Sequence, residues 1–332
     1  MTAGILTGRP LLATTAMLAV VIYGALATLH VIIRQVAGDQ WSWLYVANML
    51  AVVWWAPAVL ALPLAFLGRA WWPAALLSVL PAVVWVSTFG PYLIPGRAES
   101  TTAVANAQQV RVIAWNVRPR NPSADLAALI AESNPDVMLL AEVPGEYAQD
   151  VVAAAPGLPH HYFAPEAPGA PTHGETAVLS RYPIVGTRLI EGMPVGSRTA
   201  AVVTVDIEGR QVDLVPLHLS SPFTGLGLKD LGKNSRLREA ETEVIAEHLR
   251  STTNPLVLGG DLNSAPANTP RKLLLNAGLE DLQAEVGSSF GTTRRKLRVD
   301  WVFARDVKAL RAWTGNARNS DHRPVLADIL VP

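Results

Sequence analysis

The chain has 332 residues, half of them apolar, with 27 basic side chains against 27 acidic ones and no cysteine. A formal net charge of zero leaves no overall cationic surplus of the kind that non-specific nucleic-acid binding draws on. The lack of cysteine excludes disulfides and thiolate metal sites, and it leaves the redox compartment unmarked.

The apolar excess is concentrated in the first hundred positions. No charged side chain occurs in 11–33, 41–68 or 70–96, and each run exceeds the roughly 20 residues that cross a hydrocarbon core. Trp41, Trp43, Trp71, Trp72 and Tyr92 lie near the ends of these runs, as interfacial aromatic anchors do. The expectation is three transmembrane helices. A cleaved signal peptide would account for the first run alone, and buried helices of a soluble core do not need such length. Flanking cations are nearly balanced, with Arg9 and Arg69 on one side and Arg34 and Arg97 on the other. The α-amino group tips the balance towards an inside N-terminus, which after three crossings puts the C-terminal part outside the cytoplasm.

Residues 97–109 read as a polar linker. After it, short apolar runs predict strands at 110–115, 137–140, 176–179, 200–207, 211–217, 255–258, 299–303 and 325–331. Helical spacing covers 124–133, and 236–249 is amphipathic with Leu237, Val244, Ile245 and Leu249 on one face. The stretches 156–171 and 220–235 read as irregular, the second being too long for an ordinary connection. Three units follow: a membrane domain over 1–96, the linker, and a catalytic domain over 110–332. The alternation predicts an α/β (α+β) class of stacked sheets flanked by helices, preceded by the three spans. With Arg9, Arg34, Arg69 and Asp39 set aside, the soluble part is slightly acidic. Its one basic cluster, Arg294, Arg295, Lys296 and Arg298, reads as a solvated loop or strand edge, with a polynucleotide groove as the alternative.

Chemistry concentrates in two segments. In VLGGDLNSAP, 257–266, a buried strand empties into Asp261 and Asn263, two residues apart and so on one face at the strand's end. In SDHRPV, 320–325, a hard oxygen ligand, Asp321, stands beside the imidazole of His322. Glu142 ends the apolar strand that starts at Val137; it suits a hard cation, the plain alternative being an exposed glutamate in an ion pair. His218, after another apolar run, is either a phosphate contact or a satisfied structural histidine. A phosphoester is anionic, so attack by water needs its charge neutralised and a nucleophile generated near neutral pH. Mg²⁺, with Mn²⁺ as the alternative, does the first through oxygen ligands.

Six segments in order, AWNV with Asn116, LLAEV with Glu142, GETAVLSRYPI, PLHLS with His218, GGDLNSAP with Asp261 and Asn263, and RVDWVF with Asp300 followed by NSDHRPV, resemble the endonuclease/exonuclease/phosphatase superfamily. The resemblance covers 110–332. It implies a four-layer sandwich of two mixed sheets flanked by helices, with Glu142 as metal ligand and Asp321 as second ligand or water positioner. It also implies His322 as general base or phosphate contact, oriented by Asp300, and His218 as donor to a phosphate oxygen. Asp261 would position water or assist the leaving group, with Asn263 and Asn116 orienting substrate, metal or water. Arg118 stands where nucleases of the superfamily often carry an acidic residue, which puts direct transfer of their metal geometry in doubt. His160, His161 and His248 receive no role, and His173 is expected at most to border the pocket.

The superfamily leaves the substrate open, and the tether supplies the preference. A linker of about a dozen residues keeps the site within a few tens of ångströms of the bilayer, where a lipid is met at high effective concentration. Apolar helices joined to this motif set are similar to membrane-anchored actinobacterial members, including one associated with glycopeptide resistance. The expected function is therefore a membrane-anchored, metal-dependent phosphoesterase acting on a phosphorylated envelope lipid such as a polyprenyl (di)phosphate. The alternatives are a tethered nuclease or nucleotide phosphodiesterase, and a catalytically silent envelope-binding module. An apolar mouth at Phe223, Leu226 and Leu228 would favour the lipid, and a basic groove at 294–298 the polynucleotide.

Overall fold

A computed structural model describes residues 8–67, 72–94, 107–118, 123–167, 169, 175–222, 228–286, 290, 291 and 293–332. The N-terminal third is helical: α1 (Gly8–Ala37), α2 (Ser42–Met49), α3 (Ala51–Trp54), α4 (Ala56–Leu67) and α5 (Trp72–Leu93). Two segments, Thr14–Ala37 and Trp72–Leu93, are long and apolar enough to cross a membrane. The single span expected over 41–68 is instead a broken pair, bent by 64° between Ser42–Met49 and Ala51–Ala61. Packing explains the break. The α2 side chains Leu44, Tyr45, Asn48 and Met49 are buried, with Tyr45 and Met49 in one apolar cluster with Leu231 and Ala265 of the following layers. A straight helix would carry that face away. Among the described residues every exposed large hydrophobic lies before residue 95 except Tyr147, Val185, Leu189 and Val195, so the apolar surface belongs to these helices.

The remainder comprises β1 (Gln108–Asn116), α6 (Ser123–Ser133), β2 (Val137–Ala141), α7 (Ala148–Ala153), β3 (His160–Phe163), β4 (Thr176–Ser180), β5 (Ile184–Leu189), β6 (Ala201–Ile207), β7 (Arg210–His218) and α8 (Leu228–Arg250). It continues with β8 (Leu256–Asp261), α9 (Thr269–Asn276), β9 (Glu280–Asp281), α10 (Leu282–Glu285), β10 (Asp300–Arg305), β11 (Lys308–Thr314) and β12 (Val325–Val331). Two six-stranded sheets result, ordered β11-β12-β1-β2-β4-β3 and β5-β6-β7-β8-β10-β9. Each is mixed: β1–β2 and β7–β8 run parallel, while β1–β12 and β8–β10 run antiparallel.

Alternation along the strands builds the layers. Val110, Val112 and Ala114 of β1 face a shared core with Val203, Val205, Val257 and Val302 of the other sheet. The intervening Ile113 and Trp115 meet Leu126 and Leu129 of α6 on the opposite face. In the second sheet Leu256 and Leu258 turn outward onto Ile245, Ala246 and Leu249 of α8. The order is helix, sheet, sheet, helix.

The apolar helices are fastened to this sandwich by polar contacts. Asp39, fully buried between α1 and α2, accepts from Asn48 Nδ2 at 2.6 Å, Asn268 Nδ2 at 2.9 Å and the Thr269 amide at 2.9 Å. Burial pushes its carboxyl up despite these donors. Arg34 donates to Ala267 O at 2.6 Å, and Tyr92 donates to Asp281 Oδ2 at 2.5 Å. Three expectations need adjustment. Residues 228–235, read as part of a loop, form the first turns of α8. The irregular 156–171 stretch contains the edge strand β3. Strands β5 and β11 carry no strong apolar run and were not anticipated.

Candidate active site

Strand ends converge at one edge of the sandwich. Register pairs His218 with Asp261 across β7–β8 and Asp261 with Asp300 across β8–β10, so three functional groups sit side by side on neighbouring strands. From the other sheet, Asn116 ends β1 and Glu142 follows β2 immediately. Within the second sheet β7 and β8 run close: a Cβ on Gly260, whose φ is +143°, would lie 1.9 Å from Leu217 O on the paired strand, and only glycine fits there. Glu142 (φ 59°), Asn263 (φ 48°) and Arg118 (φ 65°) all adopt the left-handed region without being glycine. Such strain gathers where surrounding structure fixes a functional side chain.

Hydrogen bonds bring the set together. Asn116 Nδ2 donates to Glu142 Oε1 at 2.9 Å and to Asp261 Oδ2 at 3.1 Å, joining the two sheets through one amide. His218 Nε2 lies 3.7 Å from Glu142 Oε1 and 3.9 Å from Asp261 Oδ2. His322 Nδ1 lies 2.8 Å from Asp300 Oδ2 and 3.0 Å from Oδ1, which fixes the tautomer with Nδ1–H donating and turns Nε2 to within 3.6 Å of Asp261 Oδ2. The His322 backbone is held as well: Trp115 Nε1 donates to its carbonyl at 3.1 Å, and its amide donates to Ser320 Oγ at 3.1 Å. Burial would lower the imidazole's pKa, but the Asp300 and Asp261 carboxylates outweigh it and carry the value up to about 9. Burial also raises the Asp261 carboxyl, against the pull of His322. The result is an imidazole held between two buried carboxylates.

Asn263 braces the loop at the end of β8. Its amide Nδ2 donates to Leu219 O at 3.0 Å and its backbone N–H to Asp261 Oδ1 at 2.7 Å, so it shapes the loop that aims Asp261. Asp321 lies beside the array but is engaged by Arg294, whose Nη2 and Nε approach Oδ2 at 3.0 and 3.1 Å. Burial would raise the Asp321 carboxyl, yet the Arg294 guanidinium and His322 hold it below the usual range.

A hard cation fits the donors at Glu142. That carboxylate is about a quarter exposed, and Asn116 ties it to the buried Asp261, so oxygen ligands meet open space for water or substrate. Asp261, Asp300 and His322 also offer ligand atoms within 4.8 Å of one another. There, however, the 2.8 Å Asp300–His322 contact is hydrogen-bond length, and an ion between them would have to break it.

Several neighbours were not legible as site residues. Arg198 is 9 % exposed, and its charge is felt by Glu241, Glu142 and Asp261; nothing in GSRTAAV distinguishes it. Tyr45 of α2 donates to Asn263 O at 3.2 Å, a contact spanning more than half the chain. The basic cluster is solvated only in part: Arg298 is fully buried, with Asp281 at 3.5 Å and the Trp301 ring at 4.3 Å. Arg295 and Lys296 are exposed. Phe223, Leu226 and His173 lie outside the described residues, and Leu228 opens α8.

The endonuclease/exonuclease/phosphatase family model matches residues 105–322, and the chain belongs to that family. Its members act as nucleases or phosphoesterases and use divalent metals. No curated protein matches the sequence. Among solved structures, an endonuclease/exonuclease/phosphatase from Beutenbergia cavernae is 22 % identical over 68 % of this chain and 72 % of its own, with a TM-score of 0.53. D. rerio TDP2 complexed with a single-strand DNA product is 16 % identical over 67 % of this chain and 99 % of its own, with a TM-score of 0.53. A family protein from Bacteroides thetaiotaomicron is 16 % identical over 69 % of this chain and 100 % of its own, with a TM-score of 0.51. At these identities the likeness is one of fold.

Proposed function

We propose that the chain is a membrane-anchored, divalent-metal-dependent phosphoesterase that hydrolyses a phosphorylated cell-envelope lipid, such as a polyprenyl (di)phosphate. The observation that carries this reading is the contact of Tyr45, on an apolar helix, with Asn263, two residues from Asp261. A soluble substrate gives no reason for the site to abut the helices that meet the bilayer. The arrangement of units is three spans, with α2 to α4 as the broken second one, then the 97–109 linker and a catalytic domain over 110–332 outside the cytoplasm. A nuclease reading loses its support where Arg298 is buried and Arg294 is paired with Asp321, since only Arg295 and Lys296 of the cluster are left exposed.

Glu142 and Asp321 would hold the metal, Mg²⁺ or Mn²⁺, with Arg294 competing for Asp321. When bound, the cation neutralises phosphate charge and makes its water a better nucleophile. The chain's own groups do the rest. His322, held through Nδ1 by Asp300, exchanges a proton at Nε2. Asp261 aligns the attacking water or the leaving oxygen. His218 donates to a non-bridging oxygen as charge develops, and Asn116 keeps Glu142 and Asp261 at fixed separation. The test is phosphate release from a polyprenyl diphosphate in detergent, run beside nicking of supercoiled plasmid. Lipid turnover without nicking is expected; nicking without lipid turnover would move the protein to the nuclease branch.

A further inference from the structure

We propose that a cavity between α2 and the 294–297 turn receives the first carbons of a polyprenyl phosphate, next to its phosphate. The inference rests on the phosphoesterase reading and narrows its substrate. The cavity has a volume of about 270 Å³ and is lined by Met49, Pro222, Asn263, Arg294, Arg295, Leu297 and Val299. Two of these tie it to the active site: Asn263 holds Asp261, and Arg294 holds Asp321. At its other side Met49, the last residue of α2, brings an apolar wall from the membrane-type helices, continued by Leu297 in the cluster of Tyr45, Met49, Leu231 and Ala265. The polarity is that of an amphiphile lying head inward: the Arg295 guanidinium for an anionic head, with Arg294 beside it already paired to Asp321, and thioether and aliphatic surface for its chain.

The wall is preformed. The polar contacts of Asp39 to Asn48, Asn268 and Thr269 pin α2 to the sandwich, and the 64° bend begins immediately after Met49. The opposite face of α2 carries Trp43 and Val46, with Leu50 next to it, all exposed, so hydrocarbon meets the same short helix that lines the cavity. With about 30 Å³ as the share of one water-sized unit in a liquid, a volume of about 270 Å³ holds only the carbons nearest the phosphate, and the rest of the chain lies outside it.

The test uses full-length protein. A polyprenyl phosphate analogue carrying a diazirine close to its phosphate is irradiated with His322→Ala protein, and labelled peptides are mapped. Labels on Met49, Pro222 or Leu297 are expected; labels confined to other residues overturn the cavity. In parallel, Met49→Trp and Leu297→Trp each fill the space, the first from α2 and the second from the turn. Each should lower kcat/KM for the polyprenyl phosphate about tenfold or more relative to a short water-soluble phosphoester, the scale on which an apolar pocket discriminates. An unchanged ratio in both, with the lipid still hydrolysed, overturns the cavity and leaves the function standing. If wild-type protein hydrolyses no lipid, the function falls, and the photolabel, which needs no turnover, still decides the cavity.

Discussion

Replacing Asp300 with asparagine keeps the shape of the site and removes one charge. Both Asp300 oxygens lie within 3.0 Å of His322 Nδ1, and both residues are at most 2 % exposed. A charge-assisted bond of this kind contributes about 1.5–3 kcal/mol. If most of that is realised in holding the His322 imidazolium oriented in the transition state, the loss corresponds to a rate decrease of about 10–150-fold at 1.4 kcal/mol per decade. Asparagine can also donate to Nδ1 and turn the imidazole to the wrong tautomer, which takes the decrease towards the upper end of the 10²–10⁴ range for general acid–base groups. The assay is single-turnover phosphate release with saturating metal, beside a thermal melt that verifies the fold. A folded Asp300→Asn protein with a rate within threefold of wild type would refute the pairing as a functional one.

Other consequences are equally direct. Glu142→Gln keeps the side chain's length and its hydrogen-bonding oxygen but removes the anionic oxygen proposed to hold metal; hydrolysis should fall by at least about 10²-fold while circular dichroism stays unchanged, and a retained rate would remove Glu142 from the site. Gly260→Ala places a methyl group against Leu217 O and imposes a conformation reserved for glycine, so the melt should show a loss of at least about 3 kcal/mol. Asp281 predicts an acid limit. Burial would raise its carboxyl, but the Arg298 and Arg271 guanidinium groups and the Tyr92 hydroxyl hold it below the ordinary value. A lowered folded value means that its contribution is present above the normal carboxylate range near about 4 and is lost as pH falls through the depressed value. Melting temperature against pH should therefore fall more steeply below about pH 4 in wild type than in Asp281→Asn, and parallel curves would contradict this.

Much of the sandwich was readable because its strands are fully buried. The expected 325–331 strand coincides with β12, all seven residues of which are buried. Edge strands were harder: β5, in which no residue is fully buried, has almost no apolar face to announce it. The start of α8 was hidden for a different reason. Gly232 and Ser235 disfavour helix locally, but a Cβ at Gly232 would come within 2.8 Å of Ser42 Oγ, so the close approach of α2 selects a residue that propensity counts against. At the site, motif order pointed to residues that the fold does bring together, Asn116, Glu142, His218, Asp261, Asp300 and His322. The expected task of Asn263 did not anticipate its bond to Leu219, which depends on contacts 44 residues apart. The buried Arg298 escaped because a run of cations reads as solvated until Asp281 and two aromatic rings are known to surround one of them.

The most direct test of the central claim is a metal add-back experiment on full-length protein in detergent. Chelator-stripped wild type and His322→Ala are given a polyprenyl phosphate, and phosphate release is followed as Mg²⁺ or Mn²⁺ is restored. The account predicts release by wild type that appears only with metal, and none by His322→Ala at any metal concentration. Release by the stripped enzyme, or equal release by the variant, would contradict a metal-dependent site built on His322.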